Sequence, residues 1–255
     1  MNLLKLIYAW SVHLLTSLGA VFGVLAIIFA IKAVESNVIG STDYYYLNLQ
    51  LSIYAIIVTI FIDSVDGSFA RLVDIKKIAP FDGALLDNII DFLTFAIVPC
   101  IWIYVAKIVP ESWVIPVIVM ITIASSYQFC QPNAKTDDHF FVGFPSYWNI
   151  IIIYMLCFQT SQVANLIVLT FLAILSFVPV KYIYLSRTDY ISNKSIVKTM
   201  TFTFAILTAV CTVIAIMYYP QKTPAPVMFE IYTFMIFYVL FSLKLTIVPI
   251  EAQNN

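Results

Sequence analysis

Charge is what this sequence has least of. Asp, Glu, Lys and Arg together make up 11% of its 255 residues, against roughly 25% in a soluble globular domain. The charges nearly cancel, with 13 basic and 14 acidic side chains. That balance excludes the basic surface a nucleic-acid partner requires. Histidine is almost missing too, occurring only at His13 and His139. The four cysteines, Cys100, Cys130, Cys157 and Cys211, show no CxxC spacing and no histidine in ligand register. They read as small buried apolar residues rather than disulfides or zinc ligands. One Lys precedes the first apolar run, but no small-residue cleavage site follows, so no removed signal peptide is expected.

What remains is apolar. The chain is 62% hydrophobic with a mean hydropathy of +0.96, which implies an integral membrane protein. Eight apolar runs are visible, at about 11–33, 44–62, 84–107, 112–130, 146–160, 163–180, 198–219 and 227–248. Backbone amides find no partner in lipid, so each run is expected to be helical. The expected fold class is all-α: a polytopic membrane protein with about eight transmembrane helices. Run five is short, so runs five and six could merge into one span. Residues 1–10 are amphipathic and are expected as a separate N-terminal interfacial helix. No linker or strong internal repeat divides the chain, so residues 1–255 read as a single domain.

Lys and Arg gather in the segments that are cytoplasmic if the N-terminus is inside: Lys5, Arg71, Lys76, Lys77, Lys135, Lys181, Arg187, Lys194 and Lys198. Lys32, Lys107 and Lys222 lie opposite. The positive-inside bias sets that orientation.

Against this scarcity of charge, acids recur at helical spacing beside two apolar runs. Asp63 and Asp66 are three apart, and Gly67 and Ala70 continue the same face. Gly83, Asp87 and Asp91 follow at intervals of four, again one stripe. Antiparallel packing of the two helices would pool four carboxylates, which repel strongly at low dielectric. Arg71 alone cannot neutralise them. Hard oxygen ligands suit Mg²⁺, Mn²⁺ or Ca²⁺, and two such ions can clamp a diphosphate. Gly67, Ala70 and Gly83 are small enough to admit a nucleotide to the backbone. Asp74, Lys76, Lys77 and Asp82 read as ordinary loop charges. Asp87 and Asp91 lie within an apolar helix, where ionisable residues are functional by default.

These residues resemble the signature of the CDP-alcohol phosphotransferases, D-x-x-D-G-x-x-A-R followed by G-x-x-x-D-x-x-x-D. Every fixed position is present, as Asp63, Asp66, Gly67, Ala70, Arg71, Gly83, Asp87 and Asp91. The spacer from Arg71 to Gly83 is longer than in most of that family. In this, and in Ala9–Val21 and Phe140–Asn149, the chain resembles the bacterial phosphatidylcholine synthase branch. The resemblance implies condensation of CDP-diacylglycerol with choline to give phosphatidylcholine and CMP. It implies two ions, Mn²⁺ or Mg²⁺, with Asp63, Asp66 and Asp87 on one and Asp66, Asp87 and Asp91 on the other. It makes Asp91 the general base and sets Gly67, Ala70, Arg71 and Gly83 around the CDP moiety. His13 and Thr16 occupy the place where related enzymes often carry Asn and Thr near the nucleotide. A homodimer in a bacterial inner membrane follows from the same resemblance, and the Lys and Arg bias turns the acidic cluster to the cytoplasm.

Choline carries a quaternary ammonium that aromatic faces attract. The stretch 127–148 is rich in rings, and Tyr127, Tyr147 and Trp148 with Asp138 are the candidate choline contacts. Aromatics also collect at membrane borders for their amphipathic shape, and Tyr44–Tyr46 reads as such a belt. Lys181 and Arg187 are candidates for a lipid phosphate, although positive-inside anchoring explains them equally. Another acceptor, such as serine, inositol or glycerol phosphate, would keep the chemistry. The presence of only two arginines, Arg71 and Arg187, weighs against a phosphorylated one. An enzyme using CDP-choline and diacylglycerol is disfavoured by length. A divalent-cation transporter would place its acids near the midplane in inverted repeats, and neither feature is evident.

Overall fold

The computed structural model describes residues 3–72, 78–136, 138, 140–184, 191–192 and 195–247. The protein is an all-α polytopic membrane protein. The helices are Leu3–Val38 (α1), Thr42–Leu72 (α2), Gly83–Val105 (α3) and Glu111–Cys130 (α4), then two shorter apolar ones, Trp148–Phe158 (α5) and Gln162–Leu175 (α6), then Ser195–Tyr218 (α7) and Ala225–Ile247 (α8). Six of them, all but α5 and α6, are long and apolar enough to cross a membrane.

Two expectations change. Runs five and six are separate helices, each shorter than a full membrane crossing, so six rather than eight meet that length. The 11 residues of α5 rise about 16 Å and the 14 of α6 about 21 Å, against a hydrocarbon core of about 30 Å. The break between them is local: Gln159 takes a left-handed φ of 53°, and Ser161 Oγ caps α6 by accepting from the Ala164 amide at 3.3 Å. The N-terminal segment is not a separate interfacial helix. It continues directly into α1, whose 36 residues extend about 54 Å.

The chain forms two compact units, Met1–Lys107 and Ile108–Asn255. In the first, α1 presents a buried stripe of small residues, Gly19, Gly23, Ala26, Ala30 and Ala33, which lets neighbouring backbones approach. The approach of α3 needs the glycines: a Cβ on Gly19 would lie 2.9 Å from Ile90 Cγ2, and one on Gly23 2.9 Å from Leu93 Cδ2. A polar clamp ties α2 to both α1 and α3. Buried Ser52 Oγ donates to the Ala26 carbonyl at 2.6 Å, and Trp102 Nε1 donates to Ser52 Oγ at 2.8 Å. Satisfying these groups internally is obligatory where water is absent.

Within α3 the turn Phe92–Ile97 is π-helical. Pro99 follows it; proline lacks an amide proton and clashes with the carbonyl four residues back. A widened turn relieves that conflict without ending the helix. It begins immediately after Asp91.

In the second unit α4 packs on α6 and α7 on α8. A two-stranded antiparallel sheet, Phe140–Val142 (β1) with Lys181–Ile183 (β2), pairs Phe140 with Ile183 and Phe141 with Tyr182. Hydroxyls of α8 satisfy β2. The Lys181 amide donates to Thr246 Oγ1 at 2.9 Å, the Ile183 amide to Ser242 Oγ at 3.3 Å, and Tyr238 OH donates to the Ile183 carbonyl at 3.0 Å.

Candidate metal centre

Asp63, Asp66 and Asp87 converge. One carboxylate oxygen from each lies within 4.8 Å of the others. Spacing explains why: Asp63 and Asp66 share a face of α2, and Asp87 stands one turn into α3. Asp66 is buried, while Asp63 and Asp87 are half-buried. Among the described residues this is the group of three acids compact enough for one ion. Asp91 follows Asp87 by one turn and is half-buried beside the π-helical turn.

The donor set fits a hard cation. At a metal–oxygen distance of about 2.1 Å, neighbouring ligand oxygens lie about 3 Å apart and opposite ones about 4.2 Å. A cluster spanning 4.8 Å needs only a small contraction to reach that geometry. Were all three ionised without a cation, each pair would repel by about 3.5 kcal/mol at 4.8 Å and an effective dielectric near 20. A divalent ion removes that cost.

Helix α1 supplies the outer support. Thr16 Oγ1 donates to Asp66 Oδ2 at 2.7 Å, and both groups are buried. One turn earlier on the same face, His13 packs on Phe81 with ring centroids 4.7 Å apart. A Cβ on Gly83 would come 2.8 Å from His13 Cε1, so the first residue of α3 is held at the imidazole by its missing side chain. His13 Nε2 is buried and has no hydrogen-bond partner among the described residues. An orphaned polar atom of this kind calls for an explanation.

The remaining signature residues sit on the last turns of α2. Arg71 is exposed and its Nη2 donates to Ser68 Oγ at 2.9 Å. Gly67 is half-buried below it, and Ala70 packs with Ala9, Val12 and Ala79. Tyr8 OH ties the start of α1 to this end of α2 by donating to the Phe69 carbonyl at 2.9 Å. Asp82, expected as a loop charge, is the N-cap of α3, its Oδ1 accepting from the Leu85 amide at 3.0 Å. The Asp-Gly pair before an apolar run was the available signal. Asp74, Lys76 and Lys77 lie outside the described residues.

The other candidates are in the second unit. Trp148 is fully buried, its indole N–H donating to Ser125 Oγ at 2.8 Å and Phe144 packed edge-on at 4.9 Å. Tyr127 is exposed and stacks obliquely on Phe177 at 4.8 Å. Tyr147 is half-buried, with Phe141 edge-on at 6.1 Å. Lys181 Nζ bonds Asp138 Oδ2 at 2.6 Å. Partial burial would raise the Asp138 carboxyl, but bonds from Lys181 and Thr136 and the Lys181 charge outweigh it and hold the carboxyl below its usual range. Arg187 lies outside the described residues.

One acid escaped the sequence reading. Glu230 in α8 accepts from Thr208 Oγ1 of α7 at 2.8 Å, with its second oxygen buried. A lone Glu within the last apolar run was the signal.

No protein-family model matches the chain. Curated relatives do, and all three that follow are named phosphatidylcholine synthase. That of Legionella pneumophila is 40% identical over 215 residues, covering 84% of this chain and 79% of the relative. That of Legionella bozemanae is 45% identical over 187 residues, 72% of this chain and 86% of the relative. That of Borreliella burgdorferi is 37% identical over 189 residues, 74% and 75% respectively. With three of the four signature aspartates gathered and relatives of this identity and coverage, the chain belongs to the phosphatidylcholine synthases, the bacterial branch of the CDP-alcohol phosphotransferases.

Proposed function

We propose that the protein condenses CDP-diacylglycerol with choline, giving phosphatidylcholine and CMP, at the aspartate cluster between α2 and α3. The observation that carries this is the convergence of Asp63, Asp66 and Asp87 within 4.8 Å on the signature of a family whose named relatives are phosphatidylcholine synthases. Asp63, Asp66 and Asp87 would hold one divalent ion, and Asp66, Asp87 and Asp91 a second, Mn²⁺ or Mg²⁺. When bound, such ions neutralise charge on the transferred phosphoryl and on departing CMP.

The chain's own groups do the rest. Asp91 accepts the proton of the choline hydroxyl as that oxygen bonds to the lipid-linked phosphorus. The bond from the same phosphorus to the bridging oxygen breaks, and CMP leaves with the electron pair. A positioned carboxylate is needed because an alcohol is a weak nucleophile. Thr16 orients Asp66. Gly67, Ala70 and Gly83 leave room for the CDP moiety, Arg71 faces its phosphates, and His13 Nε2 offers the nucleotide a hydrogen-bonding group.

For the choline ammonium the proposed contacts are Tyr127, Tyr147 and Trp148 with Asp138. Lys181, with N–H groups beyond its bond to Asp138, and Arg187 are proposed for the lipid phosphate. A cytoplasmic site follows from the Lys and Arg bias. Removing two spans from the expected eight leaves that parity unchanged. The site would then face the cytoplasm of a bacterial inner membrane, in a homodimer of single-domain chains.

The test is CMP release by purified protein in detergent. Release from CDP-diacylglycerol that needs both Mn²⁺ and choline supports the assignment. Release driven by serine or inositol instead would change the acceptor, and cation flux without CMP release would overturn the enzyme.

A further inference from the structure

The aromatic segment holds a cation already. Lys135 Nζ lies 5.7 Å from the Phe141 ring centroid and 5.6 Å from that of Tyr184. Both distances fall within the roughly 6 Å range of a cation–π contact. The two rings are themselves neighbours, with centroids 4.7 Å apart and planes at 45°. Tyr147 packs edge-on to Phe141 at 6.1 Å.

Backbone pairing builds this arrangement. Lys135 pairs with Phe141 in an antiparallel bridge, so their side chains share a face. The turn between them is pinned by the Thr136 amide donating to the Phe140 carbonyl at 2.8 Å. The Phe140 amide returns a bond to Thr136 Oγ1 at 3.0 Å. On the other flank Phe141 pairs with Tyr182. Tyr184, two residues on, shares the Tyr182 face by strand alternation, and diagonal neighbours of this kind are within reach of aromatic side chains. The rings therefore belong to a fixed scaffold. The lysine does not: it is exposed, on a flexible four-carbon stem.

We propose that Phe141, Tyr184 and Tyr147 form the quaternary-ammonium box for choline, and that the Lys135 ammonium stands where the trimethylammonium group of choline would sit. This rests on the choline assignment above and moves its ammonium contact away from the enclosed Trp148. A trimethylammonium group has no N–H to leave unsatisfied and presents methyls to the rings, so it suits an aromatic box better than a primary ammonium does. Choline displaces the lysine outward into water, and the lysine competes with it for the same faces.

The experiment is equilibrium binding of tetramethylammonium to the full chain in detergent, alongside the KM for choline in CMP release. Phe141→Leu and Tyr184→Leu are each expected to weaken binding and raise KM about tenfold, with kcat within about threefold. Both Leu variants should keep the parent's detergent elution profile and unfolding temperature within a few degrees, which shows that lost binding is not lost folding. Lys135→Met should tighten binding about threefold. Ring variants that bind and turn over choline within twofold of the parent overturn the box, as does weaker binding by Lys135→Met. Ring-dependent tetramethylammonium binding in a protein that releases no CMP with choline would keep the box and sink the proposed reaction.

Discussion

Replacing Thr16 with valine tests whether α1 tunes the metal site. Valine keeps the shape and removes only the hydroxyl that donates to Asp66 Oδ2 at 2.7 Å. Asp66 is 6% exposed and Thr16 8%, so water cannot easily replace the lost donor. A hydrogen bond to a charged group contributes about 1.5–3 kcal/mol, and loss of a group that orients a metal ligand typically costs about 10- to 100-fold in metal affinity. The two ranges agree, since about 1.4 kcal/mol is tenfold. The Mn²⁺ concentration for half-maximal CMP release should therefore rise about 10- to 100-fold in Thr16→Val. The rate at saturating Mn²⁺ should change little. A readout independent of turnover is the shift in unfolding temperature on adding Mn²⁺, which should need correspondingly more metal. Thr16→Ser, which restores the hydroxyl, should return both within about threefold. An unchanged Mn²⁺ requirement in Thr16→Val would refute the orienting role.

Gly83→Ala should reduce CMP release at least tenfold while the protein still inserts, because its Cβ would lie 2.8 Å from His13 Cε1 and overpacking costs about 1–3 kcal/mol; His13→Ala in the same chain should recover part of the folded stability, measured by thermal unfolding. The Lys181–Asp138 pair should be sensitive to acid. Asp138 is held below its usual range, so its contribution is fully present above the unfolded carboxylate value of about 3.9 and is lost as pH falls through the folded value. The difference in unfolding temperature between the parent and Asp138→Asn should be constant from pH 7 to about 5 and close below about 4.

The acidic cluster was legible because its information is local. Asp63 and Asp66 at three, and Gly83 and Asp87 at four, specify faces whatever the tertiary context, and a scarcity of charge elsewhere made them stand out. Thr16 was legible only as a polar residue on the right face; its bond to Asp66 joins residues 50 apart, which no periodicity reveals. The lengths of the fifth and sixth helices were hidden for a different reason. Hydropathy sees Trp148–Phe158 and Gln162–Leu175 as apolar, but a single left-handed residue, Gln159, divides them into pieces too short to cross. At the N-terminus, an amphipathic pattern suggested a separate helix, yet nothing between Trp10 and Ser11 stops α1. That Trp148 is enclosed rather than interfacial was not legible, because a ring in a core and a ring at a membrane border have the same sequence signature. Lys135 was overlooked as a cation among rings because the strand pairing that sets it beside Phe141 was hidden in a loop-like stretch.

The central claim is that Asp63, Asp66 and Asp87 together hold a divalent cation. Titrating the purified protein with Mn²⁺ and following free Mn²⁺ by electron paramagnetic resonance addresses it without relying on turnover. The parent chain should take up Mn²⁺ saturably, and Asp66→Asn and Asp87→Asn should each weaken uptake at least a hundredfold while keeping the parent's detergent elution profile. Equal Mn²⁺ uptake by all three proteins would contradict it.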